Sequence, residues 1–422
     1  MMNPEHVISI DAMLKGAEAP VTNECCIYRV PFRMRKLKED AYTPDVVSIG
    51  PFHYNTLPRL LNMQRHKLSY CKAFLERTQT TSDTWIRYIQ SVEPHIRRCY
   101  SETLPFTKEE LVNIIFVDSG FILELFCRSY YWSWSSDVDD VCLETPWLST
   151  AIVQDLLLLE NQLPFFVLDH LFNISTSAHA HNSNSPSFIQ LTFHYFDYHN
   201  ISQLSFENIS IRHFTDLLRT FHLQHPLERR APRTSHQFVE HLPSATELSE
   251  AGVRFKENNE SKCLLDLTFS GGVLRIPQLK VHDSTETRFR NMIALELCHY
   301  HQSSYISDYV QIMDFLINTS KDVDILTQEG VLINWIGDNN SVANLFNGLL
   351  VNNVRSSASS SYLLLAQRLN NFHRNRWNKL KWTLRHDYCK TPWQTAATIA
   401  AVILLTLALV QTVCSVLQVK PQ

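Results

Sequence analysis

Apolar and polar positions change period several times along the chain, and each change marks an element. From Ile27 to Tyr54 short β-branched groups such as Val46, Val47 and Ile49 are broken by Pro31, Pro44 and Pro51, which predicts extended segments and turns. Between Leu61 and Arg77 the residues Leu61, Leu68, Cys71 and Leu75 recur at helical spacing, with Arg65, Lys67 and Lys72 on other faces, so an amphipathic helix is expected. Glu109 to Tyr130 is apolar nearly all round and predicts a buried helix. Thr150 to Phe172 predicts another, kinked at Pro164, where Asn161 and Gln162 can satisfy the freed backbone groups. The polar tract Asn173 to Ser187 predicts a surface loop, and Pro226 to Ser244 a Pro- and Arg-bearing linker.

Beyond that linker the period becomes two. Leu265, Leu267 and Phe269 alternate with Asp266 and Thr268, then Ser270, Gly271 and Gly272 supply a turn before Val273 to Ile276. This predicts a β-hairpin, with Pro277 assigning the second strand to an edge. Helical spacing resumes over Thr287 to His301 and Tyr305 to Asn318, and two short helices are expected within Asp322 to Leu350, capped by Asp322 and Asp338. After the Ser-rich break at Ser356 to Ser361, the helix Tyr362 to Tyr388 is predicted.

The last apolar run differs from all of these in length. No charged side chain occurs from Thr391 to Val419, and Ala396 to Leu417 is long enough, at about 1.5 Å per residue, for a hydrocarbon core of about 30 Å. A transmembrane helix is expected there, its anchor positions Ala396, Ile399, Val402, Leu405, Leu409, Val413 and Leu417 facing lipid, its threonines returning their hydroxyls to carbonyls one turn back. Just before it stand Arg374, Arg376, Lys379, Lys381, Arg385 and Lys390 against the single acid Asp387, whereas only Lys420 follows. The positive-inside bias therefore places the head in the cytosol, with the plasma membrane favoured. Trp377, Trp382 and Trp393 are placed as interfacial anchors, and Cys389 is a candidate for lipidation beside an ordinary-thiol reading. Six N-x-S/T sequons, at Asn173, Asn200, Asn208, Asn259, Asn318 and Asn339, argue for the opposite, luminal or extracellular, side.

Composition narrows function mainly by exclusion. A chain of 422 residues with 45% apolar content is expected to fill a large interior. A net charge of -4 and a pI near 6.5 offer no basic field for nucleic acid. Ten scattered cysteines without a C-x-x-C predict reduced thiols, and the N-terminal stretch lacks the apolar core of a signal peptide. The nine glycines form neither dinucleotide- nor nucleotide-phosphate loops, and no nucleophile elbow or zinc-protease motif is present. Asp118 and Glu124 lie on one helix but about 120° apart, so they are expected as ion-pair or capping groups, not an acid/base pair. Asp155 and Glu160 also fall on different faces; His179 and His181 on a polar loop lack the company a metal needs, and in the Cys298 to His301 run adjacent helical residues point apart. No catalytic, cofactor-binding or metal-ligating residue is expected.

Several longer stretches have a family likeness. YRVPFRMR (Tyr28 to Arg35), YTPDVVSIGPFH (Tyr42 to His53), VDSGFILELF (Val117 to Phe126), DLLLLENQLPFFVL (Asp155 to Leu168), PSATELSEAGVRFK (Pro243 to Lys256), IPQLKVHDSTETRFRNMIALE (Ile276 to Glu296) and the Asp322 to Leu349 stretch carry it, together with the C-terminal span. The chain resembles the plant family known as domain of unknown function 247, departing from it at Ser119 and Gly120, where a Gly-Cys pair is usual, and at Cys389, where an aromatic is common. The resemblance implies a mostly helical, single-pass plant membrane protein with no established enzyme activity. Some grass relatives look like pollen-side determinants of self-incompatibility, which would make the head a recognition surface.

The expected organisation is therefore an N-terminal tail (1–24), a helical head with a small β element (25–372, sub-boundary near 226–244), a basic juxtamembrane segment (373–395), the span (396–417) and a short tail (418–422). Expected partners are the lipid bilayer and a protein, or a small secreted or cytosolic ligand, but no nucleic acid. Recognition through the polar loops Asn173 to Ser187 and Pro226 to Ser244 leads. The alternatives are a membrane-bound enzyme using Asp118, Glu124 or Glu160, and a tether or adaptor on the cytosolic face.

Overall fold

The computed structural model describes residues 23–131, 140–177, 185–225, 230, 238–350, 358–375 and 392–418. These fall into two compact units, one drawn from Met1–Arg229 and Asp283–Ser307, the other from Arg230–His282, Asp308–Leu350 and Arg355–Gln422.

The first unit is helical. It contains α1 (Phe32–Arg35), α2 (Gln64–Thr78), α3 (Ser82–Arg98), α4 (Lys108–Tyr131), α5 (Val141–Glu144), α6 (Pro146–Leu156), α7 (Phe165–Thr176), α8 (Phe188–Tyr195), α9 (Phe214–His222) and α11 (Thr285–Cys298). Helices α2 and α3 each bury one face, and α4 is buried nearly all round. Helix α4 is the axis: α2, α3, α7 and α8 pack on it, and Leu111, Ile115, Phe121, Ile122, Leu123, Leu125 and Phe126 are fully enclosed. Each such side chain contributes roughly 1.5–3 kcal/mol of hydrophobic stabilisation. Phe126 also meets Tyr195 at 4.3 Å and Phe214 at 5.4 Å between ring centroids. The close approach of α2 to α4 requires Gly120, where a Cβ would fall 2.8 Å from the Cys71 Cα.

Four expectations change here. Leu61 and Leu68 are 47% and 56% exposed, whereas Lys67, Tyr70, Cys71 and Phe74 form the buried face of α2. Lys67 is taken inside because a buried acid awaits it, so charge pairing overrides the apolar stripe. The predicted helix over Thr150 to Phe172 is two helices, α6 and α7, separated by the turn 157–164: Pro164 serves as the N-cap position of α7. The predicted loop from Asn173 begins late, since α7 runs to Thr176, and part of that loop, with His179 and His181, lies outside the described residues. Helix α3, with Trp85 at its centre and Pro94 inside it, is an element the apolar periodicity reading passed over.

The second unit is mixed. It holds α10 (Ala245–Glu250), β1 (Arg254–Glu257), β2 (Thr268–Ser270), β3 (Val273–Ile276), β4 (Leu279–Val281), most of α12 (Tyr305–Leu316), α13 (Ser320–Gln328), β5 (Leu332–Asn334), α14 (Asn339–Leu349), α15 (Ser360–Arg374) and α16 (Pro392–Gln418). Gly271 and Gly272, at φ +57° and +74°, make the hairpin turn joining β2 to β3. β3 is not an edge: it is the middle strand, antiparallel to β2 and parallel to β1, and Pro277 lies one residue past its end, where no ladder bond is lost. A second, two-stranded sheet pairs β4 with β5 in parallel. Asp338 caps α14 as expected, accepting from the Asn340 and Ser341 amides. Asp322 is not a cap; it is the third residue of a capping box whose cap is Thr319, and it also accepts from the Thr246 amide at 2.8 Å.

Helix α15 ends at Arg374, with Asn375 extended, so the predicted continuation to Tyr388 is not a single helix in its described part. Helix α16 covers every expected anchor position. Within it Thr395–Ser415 is long and apolar enough to cross a membrane, and none of that apolar window is buried. Thr406 and Thr412 donate to the Val402 and Ala408 carbonyls, both at 2.8 Å, as the sequence predicted.

Candidate functional site

The segment 45–50 forms no sheet, so its amide groups need other partners. Side chains from the end of α6, the turn after it and α4 supply them. Asp155 accepts from the Asp45, Val46 and Val47 amides, each at 2.8 Å. Asn161 Oδ1 accepts from Ile49 at 2.7 Å and its Nδ2 donates to Val47 O at 3.0 Å. Asp118 accepts from Gly50 at 2.8 Å and ion-pairs with Lys67, whose Nζ also donates to Ser48 O. Gly50 is needed because its φ is +72° and a Cβ would meet Gln162 O at 2.5 Å. Gln162 in turn donates to the Leu156 and Leu158 carbonyls, the groups freed at the break, and accepts from the Phe214 amide. The acids and amides of DLLLLENQLPFF thus act as a substitute strand for the N-terminal segment.

Another residue of this turn, Glu160, is buried and holds Arg29, Val30 and Arg35, which line an open cleft of about 630 Å³. Arg29 Nη1 and Arg35 Nη1 donate to Glu160 Oε2 at 2.8 and 2.7 Å, and the Val30 amide to Oε1 at 2.9 Å. His53 Nε2 lies 3.3 Å from Oε2 without the alignment of a hydrogen bond. Burial alone would raise the Glu160 pKa; its contacts with His53, Arg29, Arg35 and Val30 outweigh it and lower the carboxyl to about 2. Burial lowers His53, which is therefore neutral at pH 7. Arg29 also lies 4.4 Å over the Phe52 ring and donates to Phe52 O. On their outer edges the two guanidiniums meet the exposed acids Glu102 at 3.4 Å and Glu39 at 3.6 Å, and Arg35 Nη2 donates to Thr43 Oγ1 at 2.8 Å. The cleft therefore presents two arginines aligned from beneath, together with Arg59 and the exposed ring of Phe32. Such a site can hold a polar or charged group by charge-assisted hydrogen bonds.

The carboxylates considered from sequence are not brought together. Asp118 pairs with Lys67, Glu124 with Arg77 and Arg128, and Glu160 with Arg29 and Arg35. Ion pairing is thus the role of Asp118 and Glu124, as expected. Among the described residues no group of three or more His, Cys, Asp or Glu is placed to hold a metal. His299 instead shares a 3.0 Å hydrogen bond with Tyr28. Arg29, Arg35, His53 and Lys67 were missed as site residues because their acid partners lie 51 to 131 positions away. The one available signal was three cations in YRVPFRMR without a neighbouring acid. Asn200, among the sequons, is buried with its amide bonded to Leu204, so this fold leaves no room for a glycan there. Arg374 is exposed at the end of α15; Arg376, Lys379, Lys381, Arg385, Cys389 and Lys390 lie outside the described residues.

A family profile described as "Plant protein of unknown function", DUF247, matches residues 27–407. The UPF0481 protein At3g47200 of Arabidopsis thaliana is 29% identical over 95% of this chain and 88% of its own length. A second UPF0481 protein of Arabidopsis thaliana, At3g02645, is 24% identical over 91% of this chain and 89% of its own. No solved structure matches the chain.

Proposed function

The chain belongs to the DUF247 family of plant proteins of unknown function, and from that premise we propose that it is a single-pass membrane protein whose head recognises a protein partner. The observation that carries this reading is the apolar helix Thr395–Ser415, with none of its window buried. Ile399, Val402, Leu405, Leu409 and Val413 are each more than half exposed, and a row of such side chains in water would be a severe aggregation hazard. A bilayer removes that penalty. The basic residues ahead of the span favour a head on the cytosolic face of the plasma membrane.

Recognition is favoured over catalysis by the pairing of the candidate acids Asp118, Glu124 and Glu160 with cations. Groups held in this way build a scaffold. The cleft lined by Arg29, Arg35 and Arg59 is a surface available to a partner. Fusing residues 392–418 to a soluble reporter and extracting the membranes at alkaline pH tests the anchor: the reporter is expected to stay with the lipid. Its release into the supernatant would contradict the reading.

A further inference from the structure

The three arginines of the cleft are each held by acceptors of the chain itself. Arg29 and Arg35 both donate through Nη1 to one Glu160 oxygen, and their Nη2 groups donate to Phe52 O and Thr43 Oγ1. Arg59 is fixed by backbone: Nε donates to Asp45 O at 3.2 Å and Nη2 to Pro44 O at 3.0 Å, while Nη1 meets no acceptor among the described residues. A guanidinium carries five N–H donors in a planar fork, so each of the three keeps donors to spare. On the solvent side stand carboxylates of the rim, Glu102 against Arg29 and Glu39 against Arg35, with side chains 53% and 73% exposed. Exposed pairs of this kind contribute about 0–1 kcal/mol, so both acids can leave at little cost. They occupy the places that carboxylates of a ligand would take. The lining adds apolar surface from Phe32, 77% exposed, and Leu57, and one further exposed acid, Asp40, without an ion pair among the described residues.

We propose that the cleft binds an acidic segment of a protein partner, whose aspartate or glutamate carboxylates replace Glu39 and Glu102 on the arginines while a neighbouring apolar side chain packs on Phe32. The inference rests on the reading of the head as a recognition module and names the chemistry that module accepts. A carboxylate matches the guanidinium fork in two parallel hydrogen bonds. Because Glu160 and the backbone carbonyls already position the arginines, binding immobilises little that was free. A volume of about 630 Å³ lies within the usual range for a bound ligand. A basic segment is the poorer fit: Glu160 is fully enclosed and committed to two arginines, which leaves only the rim acids for it. Since those rim acids offset the arginines at a distance, attraction is short-ranged and the gain comes from exchanging one carboxylate for another at contact. Removing a rim acid should therefore tighten binding, which a purely structural role of the arginines does not predict.

Full-length protein in lipid nanodiscs is panned against a phage-displayed library of random dodecapeptides, with empty discs subtracted, and enriched peptides are synthesised with a fluorescent label for anisotropy titrations. The expected result is enrichment of Asp or Glu next to an aromatic or aliphatic residue. The affinity of those peptides should rise about twofold to fivefold in Glu39→Gln or Glu102→Gln and fall about tenfold or more in Arg59→Ala, with circular dichroism unchanged. Enrichment of basic or uncharged sequences, or acidic peptides indifferent to both kinds of change, would overturn the inference and leave recognition of a protein standing elsewhere on the head. Inorganic phosphate titrated in place of peptide should bind more weakly than the enriched peptides; tighter binding would overturn the inference by assigning the cleft to a small anion. A library that yields no enriched peptide would overturn the inference and the recognition reading together.

Discussion

Glu160 is the residue on which the head's N-terminal segment depends most, because its carboxylate holds two guanidiniums and a backbone amide at once. Glu160→Gln keeps the shape and removes the charge, leaving Arg29 and Arg35 facing a weak acceptor. Both arginines reach water, at 33% and 21% exposure, so the expected loss sits at the low end for a broken buried pair, about 3 kcal/mol in urea unfolding. The pH dependence has a definite sign. With its pKa lowered to about 2 from 4.5, Glu160 adds stability above pH 4.5 that disappears as pH falls toward 2, and the glutamine variant should lack that acid loss. His222 acts at higher pH. Burial lowers it to about 4 from 6.5, so the unfolded chain binds a proton the folded one refuses, and stability falls from pH 6.5 to 4 by about 3 kcal/mol. Asp155, which burial pushes up to about 7, works in the opposite direction. The clean readout is therefore the difference in slope between wild type and His222→Gln, which should be shallower in the variant.

At the scale of elements, what was legible in sequence depended on how local the cause is. The buried helix α4, the hairpin with its Gly271-Gly272 turn and the Asp338 cap follow from spacing within a few residues, and all are present. The inward face of α2, the break before Pro164 and the central position of β3 depend on partners far along the chain. Lys67 is buried because Asp118 is, and nothing within one turn of Lys67 announces that. The candidate site was illegible for the same reason, since Arg29, Arg35 and Glu160 meet only after folding. Two substitutions probe the elements. Gly120→Ala would push a methyl into α2 and should cost roughly 1–3 kcal/mol, read as a lower midpoint in urea. Asp338→Ala removes two amide contacts at the start of α14 and should cost about 1 kcal/mol in the same assay.

For the whole molecule, the described structure separates a head with paired acids and a filled core from a helix whose apolar side chains have no protein cover. Membership of DUF247 over residues 27–407 extends across the head and most of that helix, so the two parts belong to one family architecture. The decisive measurement is protease protection of the full chain in sealed plant microsomes, with an antibody to the head and endoglycosidase treatment in parallel. The account predicts that the chain resists alkaline extraction, that protease added outside removes the head, and that endoglycosidase leaves its mobility unchanged. A head protected until detergent is added, with a mass that falls on deglycosylation, would contradict it.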